Sequence, residues 1–393
     1  MVSIIVPVFN SEAYIDNCLE SILNQSYDDF EVLLMVGICS DNSLNKCITW
    51  QRRDNRIIIV SRKDNSLGDA RNYAMNLARG EFIAYVDAND RIDENFLMEM
   101  VTPLENNNRL DFSCCGYYRT LYDGTVIERL PREKGLFQVN FNTYLDLDIF
   151  VTVWCKVYRK KFLVENNITM FDGLSEDESF SYMIASMAKH VYVNKKALYY
   201  YTVDNSESLI NARKHEAGMD YASSMEFAIN FMKEKQVYEK NRDTLKMRIC
   251  SVFQSYLRIF NFESKMVSKY EEFINEYFPE MMSFMVWKNR KIKKGSYIMF
   301  GSGIDAKRII KQKSFDVDIS YIVDSNDKVI GNRIDGIEIF GKEKLLSENC
   351  QCPVIISSRK YRFEIAKILN DFGFCNLWYI EDVLTKEQLS KEV

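Results

Sequence analysis

Three features of the sequence predict an α/β protein whose first domain is a mixed, mostly parallel sheet with helices on both faces. Short, continuous apolar runs alternate with polar-periodic segments through the first hundred residues. The runs are unbroken rather than alternating, as expected of strands buried on both faces. The same alternation resumes near the C-terminus, after a long stretch with helical spacing. In open sheets of this kind ligands sit at the carboxyl ends of the strands.

Val2–Val8 is the first apolar run and reads as a strand. Ser11 and Glu12 open a segment with Ile15, Leu19, Ile22 and Leu23 at helical spacing. Phe30–Val36 is a second strand, Asp41–Arg53 a helix and Arg56–Val60 a third strand. Leu67–Arg79 is a helix and Phe82–Val86 a fourth strand. A βαβαβα series means parallel pairing with crossover helices. Residues 110–205 are mixed, with short strands, the segment Trp154–Lys161 and a helix after Glu176. Residues 212–287 read as helical, and their stripe of Phe227, Phe231, Phe253, Tyr256 and Phe260 reads as core packing rather than a cofactor box. The basic run Lys288–Lys294 reads as a solvated linker, with a weak membrane-surface contact as the minority reading. Strands at Tyr297–Phe300, Ile319–Val323 and Val354–Ser357 then mark a second, smaller α/β domain. The expected organisation is a first domain over 1–211, a helical region and linker over 212–294 and the small domain over 295–393.

A chain of 393 residues is long enough for two or three domains with sizeable cores. Its 47% hydrophobic and 27% charged residues are those of a soluble globular chain. The net charge of −5 provides no field for nucleic acid, and no nucleic-acid partner is expected. The opening MVSIIVPVFN does not read as a signal peptide, and no stretch approaches the ~20 apolar residues that span a bilayer. A cytoplasmic protein is expected, with contact at the inner face of the membrane left open. The 10 cysteines form no CxxC pair and His190 and His215 are the sole histidines, so a zinc site is not expected. The cysteines read as small buried hydrophobes.

Oxygen-bearing side chains gather where the strands end. Pro7-Val8-Phe9-Asn10, with Glu12 and Tyr14, leaves the first strand. Asp87-Ala88-Asn89-Asp90 leaves the fourth. Glu176-Asp177-Glu178 precedes the apolar positions Phe180, Met183 and Ile184. Carboxylates at such places can hold a divalent metal against a leaving diphosphate or take a proton as a general base. They also have plainer uses. Asp87 and Asp90 could cap a helix starting near Asp93, and Asp177 could be a first-turn acid favoured by the helix dipole.

The segments VSIIVPVFNSEAYIDNCLESILNQSYDDFEVLL, NSLGDARNYAMNLARGEFIAYVDANDRID, WCKVYRKKFL, GLSEDESF and ALYYY resemble, in order and at family-like spacing over residues 2–210, the family 2 glycosyltransferases of the GT-A fold. The resemblance implies transfer of a sugar from a nucleotide-sugar donor to a glycan, lipid-linked or protein-linked acceptor, with inversion. It implies that Pro7, Phe9, Asn10 and Glu12 border the base and ribose, and that Gly68 and Arg71 face the donor. Asp87 and Asn89 would occupy the family's Asp-x-Asp positions and bind donor and Mg²⁺ or Mn²⁺. Asp177 would be the catalytic base, with Glu176 and Glu178 structural. A bacterial surface polysaccharide or glycoconjugate would be the product.

The sequence departs from the family in four places. The family's acids after the second strand are replaced by Gly37-Ile38-Cys39, leaving Asp41 as the acid nearest the donor. Asn89 replaces the second acid of Asp-x-Asp, Cys155 the Asn after the Trp, and Thr202 a basic residue after the paired tyrosines. A donor-binding partner without catalysis is therefore the alternative reading. Separately, Gly301-x-Gly303-x-x-Ala306 follows a strand and opens a helix, with Asp324 ending the next strand. That is a dinucleotide fingerprint in context, and it resembles Rossmann-like domains appended to bacterial sugar-modifying enzymes. Gly301, Gly303 and Asp324 form a candidate second nucleotide site, NAD being disfavoured because no hydride-transfer residues accompany it. The oligomeric state is left open.

Overall fold

A seven-residue run with no polar face has no side to offer solvent, so it must lie inside a sheet covered on both faces. β1 (Val2–Val8) and β2 (Phe30–Val36) are buried along their whole length. They pair in parallel with Val2 opposite Phe30. β3 (Ile57–Ser61) adds to β2 and β4 (Phe82–Tyr85) to β1, again in parallel. The crossovers are α1 (Ile15–Leu23), α2 (Ser43–Arg53) and α3 (Leu67–Leu77). On α1 the periodic set Ile15, Cys18, Leu19 and Ile22 is the buried face.

This computed structural model describes residues 1–121, 124–202, 214–288, 295–311, 317–358, 361–374 and 376–379. The chain divides into two units, Met1–Leu245 and Lys246–Val393.

In the first unit the chain continues through β5 (Arg91–Ile92), α4 (Phe96–Asn106), β6 (Phe112–Thr120), β7 (Val126–Arg129) and β8 (Gly135–Gln138). It goes on through α5 (Phe141–Asp146), β9 (Lys156–Arg159), α6 (Lys160–Glu165), α7 (Glu176–Met187) and β10 (His190–Thr202). The sheet runs β3-β2-β1-β4-β9-β6-β10-β5, with β7 on β6 and β8 on β10. β9 is antiparallel to both its neighbours, β4 and β6, and so divides the parallel half from the rest. The architecture is thus mixed, with a parallel half carrying the strand ends expected from the sequence. α8 (Lys214–Glu234) packs on α7.

The unit division falls inside α9 (Tyr238–Ile259). The expected boundaries at 211 and 294, and residues 289–294 of the basic run, lie outside the described residues. The second unit continues with α10 (Ser264–Tyr277), where Tyr270 stacks on the buried Phe253 at 3.8 Å. Its sheet contains β11 (Gly295–Phe300), β12 (Val317–Asp324), β13 (Arg333–Ile334), β14 (Ile337–Gly341), β15 (Val354–Ile356) and β16 (Leu377–Tyr379). The order is β13-β14-β12-β11-β15-β16, parallel throughout except for the β13–β14 pair. α11 (Ile304–Lys311) and α12 (Arg362–Asp371) accompany it. Six of the described cysteines are buried, Cys39 and Cys352 are half-buried and Cys350 is exposed. Cys375 lies outside the described residues.

Candidate active site

A cleft of about 290 Å³ opens at the carboxyl ends of β1 and β2. Pro7, Val8 and Phe9 line it from β1, and Met35, Gly37 and Ile38 from β2. The β3–α3 loop contributes Lys63, Asp64, Asn65 and Ser66, and the far wall is Leu67, Ala70 and Leu174. Phe9 is 45% exposed and Ile38 68%, so two large apolar side chains stand open at its rim. Gly37 makes the aromatic wall: a Cβ there would touch the Phe9 ring at 3.4 Å.

The other residues expected near the base hold this wall in place. Asn10 adopts a left-handed backbone (φ 45°) and its Oδ1 accepts from the Ser40 N–H at 2.8 Å. Asp41 Oδ2 accepts from the Glu12 N–H at 2.9 Å, and Glu12 Oε2 accepts from the Asn42 N–H at 3.0 Å. Asp41 Oδ1 also accepts from the Ser43 hydroxyl at 2.6 Å and the Ser43 N–H at 3.0 Å. Burial opposes its charge, but these bonds outweigh it and hold the carboxyl below its usual range. Asn10, Glu12 and Asp41 thus clamp the loops after β1 and β2 together, while Pro7 and Phe9 line the cleft.

A charged cluster forms where β4 ends and α7 begins. Arg71, on α3, is 1% exposed. Its Nη2 donates to Asp87 Oδ1 at 2.7 Å and its Nη1 to Glu176 Oε1 at 2.6 Å, with Asp177 Oδ1 3.6 Å away. Burial works against the guanidinium's charge, but the carboxylates of Asp87, Glu176 and Asp177 outweigh it and raise its pKa. One buried cation therefore joins the two sequence-distant motifs. Asp177 is a third exposed, yet its Oδ1 is buried and accepts no hydrogen bond. Burial, then the neighbouring Glu176, push its carboxyl well above the usual range. The first turn of α7 is fixed from α8: Ser224 Oγ donates to the Ser175 carbonyl at 2.5 Å and Ser175 Oγ to that of Ala217 at 3.0 Å.

Asp90 is 2% exposed, and its two oxygens accept from the Tyr199 hydroxyl and the Thr202 N–H, each at 2.8 Å. Burial and then Asp87 push its carboxyl up. Tyr199 Oη in turn accepts from the Asp87 N–H at 3.1 Å, and Trp154 stacks on its ring at 4.6 Å. Neither Asp87 nor Asp90 caps α4, which starts at Phe96 with Asn95 at its N-cap. Asn89 follows Asp87 at this edge, half-buried. Gly68 presses on the 171 backbone, where a Cβ would come within 2.0 Å of the Phe171 carbonyl oxygen.

Sequence reasoning did not find Lys63, Asp64, Ile38, Leu174 or Tyr199. Lys63 and Asp64 precede a helix N-terminus in a polar loop, where charged residues are ordinary. Tyr199 falls in the family-like segment ALYYY, but a run of three tyrosines does not single out the one that reaches Asp87 and Asp90. In the second unit Gly301 has φ 103° and Gly303 has open space around it. Asp324 there accepts from the Ser302 N–H and hydroxyl at 2.8 and 2.6 Å, and so holds the glycine loop.

Among the described residues no three His, Cys, Asp or Glu side chains gather into a metal site. Asp87 is 27% exposed and gives one oxygen to Arg71, leaving the other, with the Asn89 carbonyl, for a hard cation. Mg²⁺ is commonly held by one or two carboxylates together with substrate phosphates, so this donor set fits.

A parallel half-sheet with a cleft at its strand ends, a carboxylate cluster where β4 meets the first turn of α7, and an antiparallel β9 that carries the sheet onward together have the architecture of a glycosyltransferase domain of the GT-A type. Residues 3–165 match the family model for glycosyl transferase family 2, and this part of the chain is a family 2 glycosyltransferase domain. The poly(ribitol-phosphate) beta-glucosyltransferase of Bacillus spizizenii is 26% identical over 296 residues, 72% of this chain and 44% of that protein. EpsJ of Bacillus subtilis (strain 168), named an uncharacterized glycosyltransferase, is 28% identical over 217 residues, 53% of this chain and 62% of EpsJ. The chain thus spans less than two thirds of either relative. The crystal structure of S. aureus TarS 1–349 in complex with UDP-GlcNAc aligns with a TM-score of 0.59 at 23% identity, covering 72% of this chain and 83% of that one. That likeness shows the fold. No helix among the described residues is long and apolar enough to cross a membrane.

Proposed function

We propose that the chain transfers a hexosyl group, with inversion, from a nucleoside-diphosphate sugar to a glycan or lipid-linked acceptor of a bacterial surface polymer such as a capsule or teichoic acid. The observation that carries this reading is the buried Arg71, which bridges Asp87 to the Glu176–Asp177 turn beside the cleft. The relatives' names support the product class: one is a poly(ribitol-phosphate) glucosyltransferase.

In this mechanism Phe9 and Pro7 border the base, and Asp87 faces the diphosphate. Asp87 and Asn89 would hold Mg²⁺ or Mn²⁺, which neutralises charge gained by the leaving group. Asp177 takes the proton from the acceptor hydroxyl, whose oxygen bonds to the anomeric carbon. The bond to the nucleoside diphosphate breaks, and the electron pair leaves with the phosphate oxygen. A raised pKa suits Asp177 to this role, since a carboxylate that holds its proton more tightly is a stronger base towards the acceptor hydroxyl. Glu176 keeps Arg71 in place. A nucleotide-sugar donor would place the reaction at the cytoplasmic side, where such donors are made.

The test is donor hydrolysis by the full chain. Uridine, thymidine, guanosine and cytidine donors would each be supplied with Mg²⁺, with Mn²⁺ and with chelator. Release of one nucleotide, reduced by chelation and lost in Asp87→Ala, is the expected result. No turnover and no thermal shift with any nucleotide would leave the chain as a non-catalytic relative.

A further inference from the structure

The loop after β2 offers the cleft no acid. Gly37 and Ile38 line it there, and Asp41 is committed to Glu12 and Ser43. The polar groups that do face the cleft come from the β3–α3 loop, and Asp64 is the sole carboxylate among the lining residues. Its side chain is 11% exposed. Among the described residues it has an ion pair with Arg62 Nε, 3.0 Å from Oδ1, but that oxygen accepts no well-aligned hydrogen bond. Burial outweighs Arg62 and raises the carboxyl's pKa, as happens when a carboxylate lacks donors. Lys63, also on the cleft wall, is exposed and adds a cation.

We propose that Asp64 reads the base of the donor nucleotide and selects a uracil-type ring. This rests on the nucleotide-sugar reading of the cleft. A base laid against Phe9 turns its hydrogen-bonding edge towards the polar wall. Uracil and thymine present one N–H between two carbonyls, which matches one accepting oxygen of Asp64 with Lys63 beside it as donor. Guanine presents two adjacent donors, and Oδ1 is already turned to Arg62. Cytosine presents a lone pair at the same ring nitrogen, which a carboxylate repels. Recognition has thus moved from the loop after β2, where the family keeps its acids, to the loop after β3.

The experiment is calorimetric titration of UDP, dTDP, CDP and GDP into the full wild-type chain, Asp64→Asn and Asp64→Ala, with Mg²⁺. Wild type is expected to prefer UDP over CDP and GDP by at least about tenfold, the worth of one charge-assisted hydrogen bond. The amide of Asp64→Asn can donate to the cytosine ring nitrogen, so its UDP-to-CDP ratio should fall by about tenfold or more. Asp64→Ala should lose the preference. A ratio of affinities does not change with the fraction of protein folded, so loss of the Arg62 pair cannot mimic the result. Wild-type preference for CDP or GDP, or a ratio unchanged in both variants, overturns the role of Asp64 and leaves the transferase reading standing. Failure of wild type to bind any nucleotide overturns both.

Discussion

Asp177 shows how one side chain's surroundings set its chemistry. Its carboxyl is raised by burial and by Glu176, and Arg71 offsets this only in part. The folded-state value therefore lies above the ordinary value of about 3.9. The ionised form is worse off folded than unfolded, so stability falls as pH rises from the ordinary carboxylate range through the raised value. Asp177→Asn removes that penalty. Its melting temperature should exceed wild type by a few degrees, on the order of 2–4 °C, at neutral pH and match it below pH of about 4. Donor turnover with acceptor should fall by about 10²-fold or more. In wild type the acid limb of kcat/KM should lie above the ordinary carboxylate range. An acid limb at the ordinary value, or a variant whose advantage over wild type is no greater at neutral pH than at acid pH, would show that the environment does not tune this group. Cys155 is a smaller case: it adopts φ 54°, a conformation that favours Asn over most residues, and it is fully buried.

At the scale of elements, α3 positions the cluster. Ser66 caps it by accepting from the Asp69 N–H at 3.1 Å, and its first turn lies hard against the Phe171 backbone through Gly68. Arg71 stands one turn further along, so the contact at Gly68 sets where the guanidinium reaches. Gly68→Ala should cost about 1–3 kcal/mol in urea unfolding, because backbone must move to admit the methyl. It should also lower kcat through the displaced Arg71, whereas retention of full stability and kcat would show that the helix adjusts freely. The strands of the parallel half and the helices α2 and α3 were legible within a residue or two, since each declares itself by local periodicity, whereas α1, expected to open at Ser11 and Glu12, starts only at Ile15. β5, of two residues, and the antiparallel placement of β9 were not legible. Neither has a local signal, as pairing partners lie far away in the chain.

At the scale of the whole molecule, each unit has its own sheet. Gly301 in the second has φ 103°, and a Cβ there would come within 2.7 Å of Ser357 Oγ. Gly301→Val combines backbone strain with that clash and should destabilise the second unit by about 2 kcal/mol or more. Nucleotide affinity in the first unit should be unchanged. Calorimetry and a UDP titration on the same sample check this, and a parallel loss of affinity would show the units to be energetically coupled.

By itself the sequence determined the parallel half-sheet, the strand ends that open on the cleft, and the motifs holding Asp87 and Asp177. Those depend on periodicity and on short spacings, which need no knowledge of distant contacts. Only the tertiary structure decided what each charged residue does. It committed Asp41 and Glu12 to joining two loops, tied Asp90 to Tyr199, made Glu176 a partner of Arg71 and left Asp64 facing the cleft. A carboxylate's role is set by which donors reach it and how much water it keeps, and both follow from residues tens of positions away.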